Sequence, residues 1–224
     1  MTSGAPEKTV ARGGGRPGRG YFAVNGVRVP AVTTITSRFK ESGGLLYWAN
    51  TQGLEGKTLD EAREPATSVG KVVHAMVESF LHGEDVGEPK TLEAMTGFES
   101  WLDWWNAGKF TVEYTELPIV SETYRFGGTL DTILRDSKGR LCLGDWKTSN
   151  GIYPDYLWQI AAYGLLFEEY AGEKLEGGFH LARFSKEHGD FEHRHYSSLD
   201  DAAELFLLFR QAYDMDKAVG KRAK

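Results

Sequence analysis

The stretch that decides the fold is GGTLDTILRDSKGRLCLGDWK, residues 127–147. Two runs rich in Leu, Ile and Thr, Thr129 to Leu134 and Arg140 to Lys147, flank the turn-forming residues Asp136, Ser137, Lys138 and Gly139, the pattern of a β-hairpin. A three-residue loop, with Ser137 and Lys138 in a type I turn and Gly139 left-handed, pairs Asp136 with Arg140. Counting outward from that pair sets Asp131 directly across from Asp145 on one sheet face, with Cβ atoms about 4.5–5.5 Å apart. Lys147, two residues on, shares the face. Two carboxylates at that spacing repel each other. A hard divalent cation such as Mg²⁺ or Mn²⁺ suits the gap, because it prefers oxygen ligands, keeps several waters and is commonly held by one or two carboxylates plus substrate phosphate. The Lys147 ammonium beside it suits orienting a water or steadying charge at phosphorus. Taken alone, the hairpin reads equally well as a surface turn whose scattered charges pair with Lys147.

The flanking residues add context. Asp131, then Asp145-Trp146-Lys147, then Gln159 and Tyr163 in a Gln-x-x-x-Tyr spacing resemble the signature of the PD-(D/E)XK nuclease superfamily, in its RecB-like exonuclease branch. His74 in GKVVHAMVESFL is similar to the histidine that this branch places on a helix ahead of the core, and Glu116 to its acidic residue on the strand before the hairpin. VPAVTTI and LLYWAN are similar to the opening of small phage-type and mitochondrial single-domain exonucleases, so the resemblance runs over about residues 28–165. It implies a metal site of Asp131, Asp145, the backbone carbonyl of Trp146 and His74, assisted by Glu116. It also implies that Lys147 handles the attacking water and that Gln159 and Tyr163 position the strand. One or two Mg²⁺ or Mn²⁺ ions would serve an in-line displacement. The implied fold is α/β: a restriction-endonuclease-like mixed twisted sheet flanked by helices, with an N-terminal helical part over the mouth of the site.

Composition narrows the class. A chain of 224 residues suits one domain with a real core. The division expected is a disordered basic arm over 1–20, then a single nuclease domain over 21–224, with a hairpin and helical part to 108 and the nuclease core from 109. With 26 basic and 32 acidic residues the net charge is −6, which excludes a uniformly basic nucleic-acid coat but not DNA binding through a metal and local cations. No apolar run is long enough to span a bilayer, and no secretory signal is seen. The expected setting is the cytoplasm of a bacterial or phage-infected cell rather than the mitochondrion, with DNA and a recombination or replication protein as partners. The oligomeric state is left open. Cys142 is the only cysteine, so the four-cysteine iron-sulfur cluster of some RecB-like nucleases is excluded, and Cys142 reads as a small buried hydrophobe.

Along the chain, Asn25-Gly26 signals a two-residue hairpin, read as a small appendage. Helices are expected from Val32 to Phe39 and from Leu45 to Leu54, where Tyr47 and Trp48 are packing residues. A further helix runs from Thr67 to Leu81, with Val69, Val73, Val77 and Phe80 on its apolar face and His74 and Glu78 on a neighbouring side. Next, Thr91 to Asn106 buries Leu92, Met95, Phe98, Leu102 and Trp105 and leaves Trp101 and Trp104 toward the flanks, read either as ordinary core and rim packing or as rings that stack on unpaired bases. A strand from Phe110 to Val120 carries Glu116. Pro154 opens a helix to Tyr170 with Gln159 and Tyr163 on a polar side. A strand pair, Glu176 to Arg183 and Phe191 to Tyr196, turns at 187–190, and Ser198 caps a last helix containing Leu205, Phe206, Leu208 and Phe209. The functional expectation is a metal-dependent DNA exonuclease. The alternatives are a structure- or sequence-specific endonuclease on the same core, or a non-catalytic DNA-binding protein.

Overall fold

The computed structural model describes residues 20–40, 43–89, 91–185 and 190–223, with backbone alone for 63–68 and 71. The basic arm up to residue 19 and the turn residues 186–189 lie outside the described residues. In chain order the elements are β1 (Tyr21–Phe22), β2 (Arg28–Val29), α1 (Val32–Phe39), α2 (Gly43–Leu54), α3 (Leu59–His82), α4 (Leu92–Gly108), β3 (Thr111–Ser121), β4 (Phe126–Arg135), β5 (Leu141–Thr148), α5 (Pro154–Ala171), β6 (Gly178–Phe184), β7 (Phe191–Tyr196) and α6 (Asp200–Arg222).

Five strands form one mixed sheet in the order β3-β4-β5-β6-β7. The first three make an antiparallel meander; α5 then carries the chain across to β6, which pairs parallel to β5, and β7 folds back antiparallel. Strand β5 is central and covered on both faces, so LCLGDWK is buried almost throughout rather than alternating. Its side chains still divide by parity. Leu141 and Leu143 join a core with α1, α5 and α6 through Ile35, Ile160, Leu166 and Phe206. Cys142 and Trp146 face the other way, into a core with α3 and α4 through Val73, Val77, Phe98 and Trp101. This is the expected mixed sheet between helical layers. The N-terminal helices, however, divide between the two faces instead of forming one part over the mouth.

The main hairpin turns as counted. Gly139 has φ 77°, its N–H donates to the Asp136 carbonyl at 2.8 Å, and the Asp136 N–H donates to the Arg140 carbonyl at 3.0 Å. The first hairpin does not. The Asn25-Gly26 signal predicts a two-residue turn, but Tyr21 pairs with Val29 and the Ala23 N–H donates to Val27, leaving three loop residues with only Gly26 left-handed. Nor is it an appendage: the Gly127 N–H donates to the Pro30 carbonyl at 3.0 Å, and the Tyr21 hydroxyl meets Thr129 Oγ1 at 2.9 Å, so the hairpin is laid against the end of β4.

Helix α3 starts two turns before the expected point. The apolar period begins only near Val69, but Thr58 and Glu61 form a reciprocal capping box that starts the helix at Leu59. In α4 the expected apolar face is rotated: Leu92 and Met95 are exposed, whereas Trp101 is 0% exposed and at the centre of an aromatic cluster. Tyr47 in α2 is 77% exposed and not packed. In α6 Phe206 is fully buried while Leu205 and Leu208 are exposed; Leu199 rather than Ser198 is the N-cap, although the Ser198 hydroxyl does accept the Asp200 N–H. Among the described residues no helix is long and apolar enough to cross a membrane.

Candidate metal centre at a strand fork

Strands β4 and β5 part company at the site. They pair only from Arg135↔Leu141 to Thr132↔Gly144; beyond that, β4 continues beside β3 and β5 continues beside β6. The expected register holds up to the fork, and Asp131 and Asp145 occupy the next step, where the ladder has ended. The side chain of Asp131 closes part of the gap, its Oδ2 accepting the Trp146 N–H at 2.9 Å. On the other side of β4 the ladder skips a step too: Glu116, the residue opposite Asp131, is unpaired and has φ 45°. A non-glycine residue there costs on the order of 1–3 kcal/mol, a strain that the surrounding sheet must hold in place.

Asp145 shares the parity of Leu143, so its side chain is carried into the protein on the α5 side, where it is 0% exposed. Lys147 Nζ pairs with Oδ2 at 2.6 Å, and Oδ1 has no hydrogen-bond partner among the described residues. Burial, opposed by the Lys147 ammonium and reinforced by the Asp131 charge, pushes the Asp145 carboxyl up to about 6. Asp131 moves the opposite way: burial would raise it, but His74, Lys147 and the Trp146 N–H together hold it below the usual carboxylate range. Burial would also lower Lys147, yet the two aspartates keep it charged and above its ordinary value.

Helix α3 lies across the fork. Gly70 makes the approach possible, because a Cβ there would fall 2.1 Å from the Thr148 side chain at the end of β5. One turn later His74 Nε2 comes within 3.8 Å of Asp131 Oδ2, an ion pair too long for a hydrogen bond, while Nδ1 meets Glu78 Oε1 at 2.8 Å. Burial alone would depress this imidazole, but Asp131 and Glu78 raise it to about 9. Glu78 also faces Glu116, whose carboxyl is raised by burial and then by the Glu78 charge. Glu78 thus enters the site by two contacts, one to His74 and one to Glu116. Its position four residues after His74 is the signal that finds it in the sequence.

Two expected roles do not survive burial. Trp101, fully enclosed, has no face for a base, and half-buried Trp104 packs on Phe110, Trp146 and His193. Tyr163 belongs to the core and not to a polar helix side: its ring sits over Gly128, where an added Cβ would lie 2.6 Å from it. Its hydroxyl accepts Gln159 Nε2 at 2.9 Å, and burial with the nearby Asp145 and Asp131 charges raises it well above the ordinary phenol value. Cys142 is buried as expected, its thiol pushed up to about 11 by burial.

The donor set suits a hydrated divalent cation in one respect: a buried carboxylate with an unmatched oxygen faces a second carboxylate across the fork. In another respect the cage is not drawn together, since among the described residues no three His, Cys, Asp or Glu side chains converge as a ligand group. The residues therefore fit an ion held by Asp131 and Asp145 with water completing its shell.

No family model matches this chain, and no curated protein matches it. Among solved structures, one described as "Putative exonuclease" from Eubacterium rectale is 18% identical, with a TM-score of 0.42, over 62% of this chain and 64% of that one. The protein SSO0001 is likewise 18% identical, with a TM-score of 0.29, over 62% of this chain and 74% of its own. The chain thus spans less than two thirds of the length of the first of these. At these scores neither structure speaks to activity.

Proposed function

We propose that this chain is a divalent-metal-dependent DNA exonuclease acting on strand ends. The observation that carries the reading is the buried Asp145 carboxylate, with Lys147 Nζ 2.6 Å from Oδ2 and Oδ1 without a hydrogen-bond partner among the described residues. Burying an ionised carboxylate that is not fully satisfied is costly, and a bound cation removes that cost. Asp131 and Asp145 would hold the ion with water completing its shell, while His74, kept protonated by Asp131 and Glu78, would stand behind them with Glu116 and Glu78. A bound Mg²⁺ or Mn²⁺ would supply positive charge for a phosphate and lower the pKa of a water. Lys147, charged between two aspartates, is placed to orient an attacking water and to steady charge that develops on phosphorus. Tyr163 and Gln159 brace β4 behind Asp131 through the ring's contact with Gly128, and do not touch the strand.

The test is a time course with Mn²⁺ on DNA labelled at either end, in single-stranded, duplex and covalently closed circular form. The expected result is shortening of linear strands and survival of circles. Intact linear DNA, or Asp145→Ala and Lys147→Ala variants that digest it as wild type does, overturns the proposal. Cutting of circles would replace it with an endonuclease.

A further inference from the structure

With Trp101 and Trp104 built into the core, any base stacking must come from elsewhere, and the neighbourhood of Lys147 offers a place. Lys147 Nζ lies 5.6 Å from the ring centre of Tyr156 on the first turn of α5. Tyr156 in turn meets Tyr153 edge to face, with ring centres 5.5 Å apart and planes at 81°. Lys40, just past the end of α1, stands 5.8 Å from both tyrosine rings and is tethered by Asp155 Oδ2 at 2.7 Å. The series runs outward. Tyr156 is half-buried, and Tyr153, which caps α5, is 45% exposed.

We propose that Tyr153 and Tyr156, steadied by Lys40, form a stacking platform for an unpaired base beside the phosphate at Lys147, so that the site takes single-stranded DNA ends. This rests on the nuclease reading and names its substrate class. One ammonium-to-ring step of 5.6 Å and one ring-to-ring step of 5.5 Å lead from Lys147 to Tyr153. The rings carry no readout of base identity, since every base has a face to stack, and the two ammonium groups suit the adjoining phosphates. A large exposed ring on a helix cap adds little to folding, whereas a preset ring stacks a base at small entropic cost.

The experiment uses the whole chain with Ca²⁺ in place of Mg²⁺, and single-stranded oligonucleotides carrying 2-aminopurine at the 5′ or the 3′ terminus. Binding is read by anisotropy and stacking by quenching of the probe. Wild type should quench one of the two probes. Tyr153→Ala should lose that quenching and weaken binding about tenfold, and Tyr153→Phe should restore both. An abasic terminal nucleotide should cost wild type the same factor and cost Tyr153→Ala nothing. Quenching of neither probe by wild type, or equal binding and quenching by Tyr153→Ala, overturns the platform. Tyr153-dependent quenching by a protein that cuts no DNA would keep the platform and remove the nuclease reading. Cutting by a protein in which Tyr153→Ala binds normally would do the reverse.

Discussion

Two groups of histidines occupy the two ends of this molecule's chemistry. At the fork, His74 sits among Asp131, Glu78 and Glu116 and is raised to about 9. At the β6–β7 edge, His180 lies under Trp104 and Phe110, with its Nδ1 3.0 Å from His193 Nε2 and its ring packed 4.7 Å from His195. There burial, and then the neighbouring histidines, push His180 down to about 3 and His193 to about 4. The same side chain is thus biased in opposite directions by more than the width of the physiological range. By composition the second group, FHLARF and FEHRHY, looks more like a metal site than the first. Its rings stack on one another and on aromatics, however, while the fork holds carboxylates whose charge is not balanced. One environment favours the protonated imidazole and the other the neutral one.

The largest effect expected of this contrast is on cleavage. Lys147→Ala should lower kcat by about 10²–10³, whereas His180→Gln should leave it within a few-fold of wild type. A comparable loss in both would erase the distinction between site and core. Metal-linked stability gives a second contrast independent of turnover. Mg²⁺ at a hundred times its Kd stabilises by about 2.7 kcal/mol, a rise in Tm of roughly 5–10 °C for a chain of this size. Asp145→Asn should abolish that rise, and its metal-free form should melt no lower than metal-free wild type near pH 8, because a buried charge has been removed. His180→Gln should keep the full Mg²⁺ response. Calorimetric scans with and without Mg²⁺ decide both points.

How much of this was legible in the sequence depends on how far each feature is set by local rules. The turn at Gly139 and the pairing up to Thr132 and Gly144 follow from side-chain period and loop length alone, and they were readable. The fork was not, because it depends on which neighbour each strand prefers once β3 and β6 are in place. The count therefore brings Asp131 and Asp145 to adjoining strands, but the direct pairing it predicts is replaced by the fork, where Asp131 accepts the Trp146 N–H. The apolar period of α4 placed Trp101 on a flank, yet α4 packs against α3 and Trp146 together, and the larger ring takes the centre. Tyr163 was misplaced for a related reason: Gly128 leaves a hollow on β4 that only a side chain from a distant helix can fill. The Tyr153–Tyr156–Lys40 group joins residues more than a hundred positions apart and left no trace in any local pattern.

Acid and base should stress the two histidine groups oppositely. His180 and His193 have folded values below the unfolded 6.5, so the unfolded chain binds more protons, and the stability they contribute, present above pH 6.5, is lost as pH falls towards 4. At pH 5 the loss from His180 alone is about 2 kcal/mol, with less from the half-exposed His193. His74 is raised instead. Its contribution is complete below pH 6.5 and disappears as pH rises through about 9 in the metal-free protein. Denaturant midpoints at pH 5, 7.5 and 9.5 test this. His180→Gln should flatten the acid side only and His74→Gln the alkaline side only. A variant that flattens both limbs would mean that the two groups are not independent.

The smallest effect should come from Tyr163→Phe, and it sharpens the boundary between site and core. The tyrosine shares the charged surroundings of Asp131 and Asp145, but its ring is fixed by Gly128 and Leu166-side packing, and its hydroxyl is occupied by Gln159. Removing the oxygen keeps the ring and its contact with β4, and leaves one half-buried amide donor to find water. The expected cost is about 1 kcal/mol of stability, seen as a lower denaturant midpoint with an unchanged m-value. The Mg²⁺-induced rise in Tm should persist, and kcat should fall less than tenfold. A drop in kcat as large as that of Lys147→Ala would instead place the phenol against the reacting strand, and the division drawn here between a charged fork and the packing behind it would have to move one helix turn outward along α5.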